Sequence, residues 1–256
     1  RDSSPPSYYV GGVPRECPED AGSRDTHQLS DMMSELRILR AGVVEYHIMA
    51  EAMKAMQQQR IEDKIPDTVI IVEHPEVVTV GPKAVRDGVV VHGYPTSLTD
   101  RGGGITWHGP GQLVAYPIIK WTIEEQNIRK IIGRLEDWSI SALAECGVTA
   151  YKDSSMQGAW VDGHKVCSIG LSFLHWVSRH GMSINIHTPG TRVEDLEGCG
   201  MSAGVHSSLS QLGYTSDPFG MPIDLTRVER ALLASCERNL GRSPSKPIEW
   251  SPEMPA

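Results

Sequence analysis

Apolar residues recur at helical spacing in three segments of this chain. Residues 43–59 and Glu124–Cys146 each carry such a series along one helical face. A third helix is expected to open at the capping box Thr226-x-x-Glu229 and to close at Gly241, because glycine readily ends a helix. These three segments are the predicted helices.

Short β-prone runs lie between these helices and predict strands. Asp162-Gly163 separates two such runs within Gly158–Phe173, and this dipeptide is the strongest short-range signal for a β-hairpin. The other predicted strands are Thr68–Glu73, Val77–Val80, Gln112–Ile119 and Met182–Ile186. Mixed helices and strands with a hairpin predict one α/β or α+β domain.

The ends of the chain differ in composition from its middle. Residues 1–35 are rich in Pro, Gly, Ser and charged residues without a sustained apolar period, which predicts a flexible arm. This arm lacks the apolar stretch of a secretory signal. We expect a single folded domain over residues 36–243 and a loose, Pro-rich tail over residues 244–256.

Charge and composition exclude two classes of partner. The 256 residues include 24 Lys and Arg against 32 Asp and Glu, a net charge of −8, and only 6% are aromatic. A protein that grips phosphate backbones or stacks bases needs the opposite balance, so nucleic acid is not expected as a partner. No apolar run is long enough to span a bilayer, so we expect no membrane association.

The cysteines and histidines do not form a recognisable framework. The five cysteines are widely spaced without a CxxC motif, which argues against disulfides and structural zinc and for a reducing compartment. Cys146 and Cys236 fall in predicted helices and are expected to be core residues. The ten histidines are scattered without an HExxH motif, so no metal site is expected.

The most unusual stretch is Asp100–Gln112, which has five glycines within ten residues. It is not a P-loop, because no Lys follows its glycines, and it lacks the third glycine of the dinucleotide fingerprint. What remains is a loop that lets backbone N–H groups approach a ligand, with Arg101 and His108 able to donate or shuttle protons. The alternative is a plain glycine-rich turn between strands.

One cysteine has the surroundings of a nucleophile. Cys199 lies between Gly198 and Gly200, which leave its thiol uncrowded and a backbone N–H available to an oxyanion. Spacing alone equally allows an idle, exposed thiol. Lys165 is a candidate partner because a nearby ammonium lowers a thiol pKa, and a solvated lysine at the end of a strand is the alternative.

Segments around these candidates resemble the lipoyl(octanoyl) transferases, the octanoyltransferases that load lipoyl domains. The run RGG-x-x-T-x-HGPGQ is far more specific than a lone GxGxxG, and the interval from Lys165 to Cys199 also fits the family. The resemblance extends from about Leu36 to Leu212. Its pieces are IPDTVIIVEHPEVVTVG (65–81), TDRGGGITWHGPGQLVAYPI (99–118), GAWVDGHKVCSIGL (158–171), RHGMSIN (179–185) and CG (199–200).

The resemblance implies a fold and a set of site residues. The fold is a mixed sheet flanked by helices, as in the catalytic domain of biotin and lipoate protein ligases. Cys199 is implied to be the nucleophile that carries the acyl group as a thioester, and Lys165 to lower its pKa and act as general acid and base. The implied acyl-binding residues are Arg101, Gly102, Gly103, Gly104, Ile105, Thr106, Trp107, His108, Ser168, Ile169, Gly170, Gly181, Met182 and Ser183.

The implied reaction takes octanoyl from acyl carrier protein to the lysine amine of a lipoyl domain. The acceptors would be 2-oxoacid dehydrogenase E2 subunits or the glycine cleavage H protein. No cofactor is expected, because the donor thioester is already activated. The family also implies a monomer. We expect a cytoplasmic enzyme, with the mitochondrial matrix as the alternative compartment.

Two other functions remain open from the sequence. One is a related lipoyl or acyl amidotransferase with a different donor or acceptor, and the other is a non-catalytic module that binds an acyl carrier. Carrier proteins are acidic and this chain has a net charge of −8, so docking would need a local basic patch. The candidate cations are Arg37, Arg40, Lys83, Arg86, Arg129, Lys130 and Arg134.

Overall fold

A mixed sheet forms the centre of the computed structural model, which describes residues 34–196 and 203–253. The central strands run in the order β10-β1-β2-β6-β9-β8-β7, and β11 also pairs with β1. Their bounds are β1 Glu35–Val43, β2 Thr68–Glu73, β6 Gln112–Ile118, β7 Ala159–Val161, β8 His164–Leu174, β9 Val177–Asn185, β10 Ser243–Pro244 and β11 Ile248–Glu249. Strand β1 is parallel to its neighbours, whereas the pairs from β2 through β6, β9 and β8 to β7 are antiparallel.

A second, smaller sheet lies beside the first and carries the glycine-rich stretch. It has the strand order β4-β3-β5, with β3 at Val77–Val80, β4 at Thr96–Leu98 and β5 at Ile105–His108. Strand β3 is parallel to β4 and antiparallel to β5. The loop that contains the first three glycines therefore enters β5 directly.

Helices cover both faces of the large sheet. They are α1 Tyr46–Ile61, α2 Pro82–Arg86, α3 Ile128–Glu145 and α4 Leu225–Leu240, with a short 3-10 turn at Ile123–Glu125. Helices α3 and α4 pack against one face, where the fully buried Trp138 donates from Nε1 to the carbonyl of Leu232 at 2.7 Å. Helix α1 places three buried methionines, Met49, Met53 and Met56, against the other face.

The predicted hairpin and strands are present. At the turn between β7 and β8, Asp162 and Gly163 have φ values of 48° and 83°, as a tight hairpin turn requires. Gly241 ends α4 with φ of 67°. Residues 182–185 of the predicted strand Met182–Ile186 belong to the longer β9. The residues that precede them in β9 alternate less clearly between apolar and polar.

Three predicted helix starts are wrong by a few residues. Residues up to Val43 form β1, because Val43 pairs with Glu73 of β2, and α1 therefore begins at Tyr46 rather than near residue 43. Helix α3 begins after Asn127, whose side chain accepts from the backbone N–H of Lys130 at 3.0 Å.

The capping box predicted at Thr226 does not open the last helix. Helix α4 begins one residue earlier, at Leu225. The side chain of Asp224 accepts from the backbone N–H of Arg227 at 2.8 Å and caps this helix. The Asp224 carboxylate thus caps the helix in place of the Thr226 hydroxyl that the motif predicted.

The expected loose tail is contradicted over residues 244–250. β10 and β11 pair in parallel with β1, and Trp250 is buried in the core beneath α1. The exposed edge of β1 provides backbone partners, and the Trp250 ring provides apolar area to bury. Residues 1–33, most of the predicted arm, lie outside the described residues.

No helix in the described part of the chain combines the length and apolar character needed to cross a bilayer.

We expect Trp250→Ala to lower the free energy of unfolding by about 3 kcal/mol, because a buried indole is replaced by a cavity. The matched control is Ile248→Ala, two residues earlier, whose side chain is 53% exposed and whose loss should cost less than about 0.5 kcal/mol. Urea denaturation monitored by far-ultraviolet circular dichroism, a backbone signal, measures the free energy of unfolding of both variants. Equal, small losses in the two variants would contradict the packing of the tail.

Candidate functional site

A cavity with about 310 Å³ of empty space, part of which is open to solvent, lies where the small sheet meets strands β8 and β9. Residues from three predicted segments come together in its wall: Arg101, Thr106 and His108, then Ser168, Ile169 and Gly170, then Gly181, Met182 and Ser183. Four further lining residues were not among the predicted site residues: Tyr46, Val114, Tyr116 and His180. The mixed lining suits a small ligand group with an apolar part.

Paired glycines let the glycine-rich loop approach the large sheet. Gly170 of β8 is opposite Gly181 of β9 in the strand register. A Cβ on Gly170 would lie 2.9 Å from the carbonyl oxygen of Gly102 and 3.0 Å from Cδ of Arg101. The Gly102 N–H donates to the carbonyl of Leu171 at 2.9 Å and fastens the loop there. A larger side chain at Gly170 would push the loop away from the large sheet.

The guanidinium of Arg101 is buried and held in place by β3. Nη2 donates to the carbonyl oxygen of Thr79 at 3.0 Å and to its hydroxyl at 2.8 Å, and Nη1 donates to the carbonyl of Gly102 at 3.1 Å. A guanidinium is permanently charged. Arg101 therefore supplies a fixed positive charge in the wall of the cavity.

Four aromatic and imidazole rings cluster around the far wall. The rings of Tyr46 and His108 stack 5.9 Å apart, and His74 contacts both in edge geometry. His74 bonds the carbonyl of Val44 at 2.6 Å and the hydroxyl of Tyr116 at 2.9 Å. Burial lowers the pKa of His74 to about 4 and holds the pKa of His108 well below its usual range. This wall is therefore polar but uncharged at neutral pH.

His180 fastens the start of the glycine-rich stretch to β9. Its Nε2 lies 2.8 Å from the Asp100 carboxylate, which also pairs with Arg179. Burial lowers the pKa of His180 to about 4 in spite of this carboxylate. His180 has φ of 61°, an unusual value for a residue other than glycine, and this strained backbone turns its ring toward Asp100.

Lys165 lies at the start of β8 with only 5% of its surface exposed. Burial, with a smaller contribution from the positive charge of Arg101, lowers its pKa from the ordinary 10.5 to about 8. No carboxylate pairs with its ammonium within residues 34–196 and 203–253. A lysine in this condition can gain and lose a proton near neutral pH.

The chain on the C-terminal side of Cys199 pairs with Lys165. Lys165 N–H donates to the carbonyl of Val205 at 2.9 Å, and Ser207 N–H donates to the carbonyl of Lys165 at 3.1 Å. One residue before Val205, the Gly204 N–H donates to the carbonyl of Glu194 at 2.8 Å. Cys199 itself, the predicted nucleophile, lies outside the described residues.

Three other cysteines are core residues, as the sequence predicted for two of them. Cys146, Cys167 and Cys236 are buried, and burial raises the pKa of Cys167 to about 11 and of Cys236 to about 12. Their thiols stay protonated and unreactive at neutral pH. Cys17 lies outside the described residues.

A second cavity, with about 230 Å³ of empty space that is also partly open to solvent, adjoins the first and shares Thr106 and Ser168 with it. The other lining residues are Trp107, Gln112, Asn185, Val193, Leu196 and His206. Trp107, predicted as an acyl-binding residue, thus lines this second space, with its Nε1 bound to Glu76 at 3.0 Å. Gly102, Gly103, Gly104 and Ile105 shape the loop and β5 but line neither cavity.

Some of the four unpredicted residues that line the larger cavity could have been found from the sequence. Val114 and Tyr116 alternate along a predicted strand, and His180 lies in one of the segments that suggested a family. Tyr46 opens α1 far from any motif, and only the folded chain brings it to the cavity. Within the described residues, no three His, Cys, Asp or Glu side chains form a group suited to a metal ion.

Comparison with known proteins agrees with the sequence resemblance. A family model described as the lipoyl protein ligase A/B catalytic domain matches residues 45–237. The chain is 32% identical over 216 residues to an octanoyltransferase from Pelobacter propionicus, covering 82% of this chain and 95% of that protein. An octanoyltransferase from Salinispora arenicola is 35% identical over 187 residues, covering 70% of this chain and 87% of its own.

The chain belongs to the octanoyltransferase family. The family resemblance inferred from the motifs is therefore confirmed. Membership makes the protein an acyltransferase enzyme and sets aside the non-catalytic binding module.

Solved structures confirm the expected lipoate-ligase fold of this octanoyltransferase-family chain. A lipoate-protein ligase A bound with ATP matches with a TM-score of 0.63 at 13% identity, covering 87% of this chain and 92% of that one. A putative lipoate protein ligase from T. acidophilum matches with a TM-score of 0.59 at 12% identity, covering 86% and 91%. At such identities the likeness concerns the fold alone.

Gly170→Ala tests the close approach of the two sheets. Its new Cβ would meet backbone oxygen and a fixed Arg101 side chain, so we expect the free energy of unfolding to fall by about 1–3 kcal/mol. The control is Gly133→Ala in α3, where a Cβ meets nothing closer than 3.9 Å and helix propensity should raise stability by about 1 kcal/mol. A Gly170→Ala variant as stable as the wild type would contradict the contact.

Lys165→Met tests the cost of the buried ammonium. Since the pKa of Lys165 is about 8 when folded and 10.5 ordinarily, the unfolded chain binds more protons between these pH values. Folding is therefore penalised fully below pH 8, and the penalty disappears as pH rises toward 10.5. We expect the variant to be more stable than the wild type at pH 7, on the order of 2–3 kcal/mol.

This gain should shrink as pH rises through that window. Free energies of unfolding measured in urea between pH 7 and pH 10.5 would show it. The same substitution at the exposed Lys54 is the control and should give a difference that does not vary with pH. A Lys165→Met difference that stays constant would show that the ammonium is solvated.

Proposed function

We propose that this enzyme transfers octanoyl from acyl carrier protein, through a thioester on Cys199, to the lysine amine of lipoyl domains. This reaction is the first step of endogenous protein lipoylation. The observation that carries the proposal is Lys165, a buried amine with a pKa of about 8 beside the chain that leads to Cys199. The acceptors are 2-oxoacid dehydrogenase E2 subunits or the glycine cleavage H protein.

The acyl chain occupies the larger cavity. Its walls combine apolar groups such as Val114, Ile169 and Met182 with rings that burial keeps uncharged. Burying methylene groups there is favourable at about 0.8 kcal/mol each.

In the first half-reaction, the Cys199 thiolate attacks the carbonyl carbon of the carrier thioester. The carbon–sulfur bond to the carrier breaks, and the departing carrier sulfur takes a proton from the Lys165 ammonium. The products are acyl-Cys199, the free carrier thiol and neutral Lys165. A pKa near 8 makes this lysine both a sufficient acid and a sufficient base at neutral pH.

In the second half-reaction, the acceptor lysine amine attacks the acyl-Cys199 carbonyl. Neutral Lys165 takes the proton that the amine loses as the amide forms, and the thiolate leaves. The Lys165 ammonium and the Cys199 thiolate are thereby restored. One buried lysine thus serves both steps without a net change in the enzyme.

The donor docks beside the glycine-rich loop. Of the expected cations, Arg40 pairs with Glu229 and Arg134 with Glu125, on elements that do not line the cavity. Helix α2 carries Lys83, which pairs with Asp87 at 2.7 Å, and Arg86, and it directly follows Gly81, whose N–H donates to the carbonyl of Gly104 at 2.8 Å. An acidic carrier on α2 would present its thioester to the cavity mouth.

Intact mass after incubation with octanoyl-acyl carrier protein tests the covalent step. We expect one octanoyl adduct that hydroxylamine removes, absent in Cys199→Ala and retained in Cys167→Ala. Lys165→Met should slow adduct formation about 10²-fold or more, because the leaving sulfur loses its acid. An adduct in Cys199→Ala, or turnover by the wild type without any adduct, would overturn the mechanism.

Transfer from the preformed adduct to an isolated lipoyl domain tests the acceptor. Octanoyl appearing on the domain's lysine supports the proposal. Turnover only with a lipoyl-protein donor would instead favour the related amidotransferase.

A further inference from the structure

His206 is a buried imidazole that the mechanism above does not use. Only 7% of its surface is exposed, and it lines the second cavity. Its Nδ1 is buried without a hydrogen-bond partner in the part of the chain that the structure describes. A buried polar atom without a partner is costly, and such atoms in a native cavity are candidates for ligand contact.

The neighbouring polar side chains of this cavity are already engaged. The amide of Gln112 donates to the carbonyl of Trp107 and to Asn185, each at 2.9 Å, and accepts from His108 at 2.8 Å. The Asn185 amide donates to the carbonyl of Ser207 at 3.0 Å. These amides build a fixed wall, whereas the ring of His206 is available to a bound group.

The backbone aligns His206 with Lys165. The two residues form a parallel bridge, so their side chains project from the same side of the sheet. They are also close enough for the charge of Lys165 to add to burial and lower the pKa of His206 to about 3. The imidazole is therefore neutral whenever the enzyme works, and it carries one N–H donor.

We propose that His206 is a catalytic residue whose ring N–H, at Nδ1, donates a hydrogen bond to the carbonyl oxygen of the acyl thioester. The inference rests on the proposed function and adds the group that stabilises the oxyanion. Attack at the carbonyl carbon moves an electron pair onto this oxygen, and collapse of the intermediate returns it. His206 keeps its proton throughout, and Lys165 alone exchanges one.

The geometry divides the substrate between the two cavities. Thr106 and Ser168 line both, so an acyl chain in the larger cavity continues past them into the polar one. In this proposal the thioester carbonyl lies beside His206, on the side of the sheet that Lys165 shares. A neutral donor suits this position, because a second cation beside Lys165 would be repelled and a neutral imidazole can still polarise a carbonyl.

Single-turnover acylation by octanoyl-acyl carrier protein tests the assignment. We expect His206→Leu to lower the rate constant about 10²- to 10³-fold, with half-saturation by the donor changed less than about threefold. His206→Asn places an amide N–H near the position of Nδ1 and should recover at least about tenfold of the loss. Ser208→Ala, in the same turn and fully buried, is the control and should acylate at the wild-type rate.

The infrared carbonyl stretch of isotope-labelled acyl-enzyme gives a readout that a merely structural role would not move. A hydrogen bond lowers this frequency, so it should be low in the wild type and His206→Asn and higher in His206→Leu. Should His206→Leu not fold, His206→Phe with His206→Asn supplies the same contrast.

The outcomes separate the two proposals. Wild-type acylation rates and an unshifted carbonyl stretch in His206→Leu would overturn the role of His206 and leave the proposed function intact. Absence of any adduct on the wild-type enzyme would overturn the proposed function and this inference with it.

Discussion

The approach of the glycine-rich loop to strands β8 and β9 is the contact on which the site depends. At Gly170 the two backbones lie so close that a Cβ would come within 2.9 Å of the Gly102 carbonyl oxygen, and the Gly102 N–H donates to the carbonyl of Leu171. The small sheet is thereby held against the large one, and the larger cavity is the space left between them. These glycines therefore have a structural role, because they determine the separation of the two sheets rather than bind a phosphate.

Lys165, at the start of β8, is also isolated from water. Its ammonium lies among protein groups that do not neutralise it, and the penalty for this charge is what lowers its pKa. The fold thus retains an electrostatic cost that a hydrophobic side chain would remove. Such a cost is understandable where a proton must be exchanged near neutral pH, and it links stability and acid–base chemistry through one residue.

The sequence anticipated much of the site because its residues are local in the chain. Arg101 to His108, Ser168 to Gly170 and Gly181 to Ser183 each form a short motif, and strand pairing then aligns the last two. Residues that depend on long-range packing were missed, among them Tyr46. His206 was visible in the sequence, but nothing local distinguishes a buried imidazole from an exposed one.

The helix starts and the C-terminal segment were predicted less well, again because they depend on contacts with other parts of the chain. Helix starts moved by one to four residues, because strand pairing extends β1 to Val43 and because side chains such as Asp224 cap backbone N–H groups near the predicted motifs. The final segment appeared loose because Pro and polar residues dominate it. Its order comes from the open edge of β1 and from the burial of Trp250, and neither partner can be recognised within the segment itself.

Burial keeps the imidazoles of the site uncharged, and this affects how a proton can move there. The pKa of His74, of His180 and of His206 is lowered to about 4 or below, so each ring stays neutral at physiological pH. Arg101, in contrast, is a fixed cation held by β3. Among the buried basic groups of the described residues, Lys165, which bridges to His206, is then the one whose pKa of about 8 is near neutral. A transfer that moves one proton out and one proton back needs a single such group, and additional titrating imidazoles would let the proton leave the reaction path.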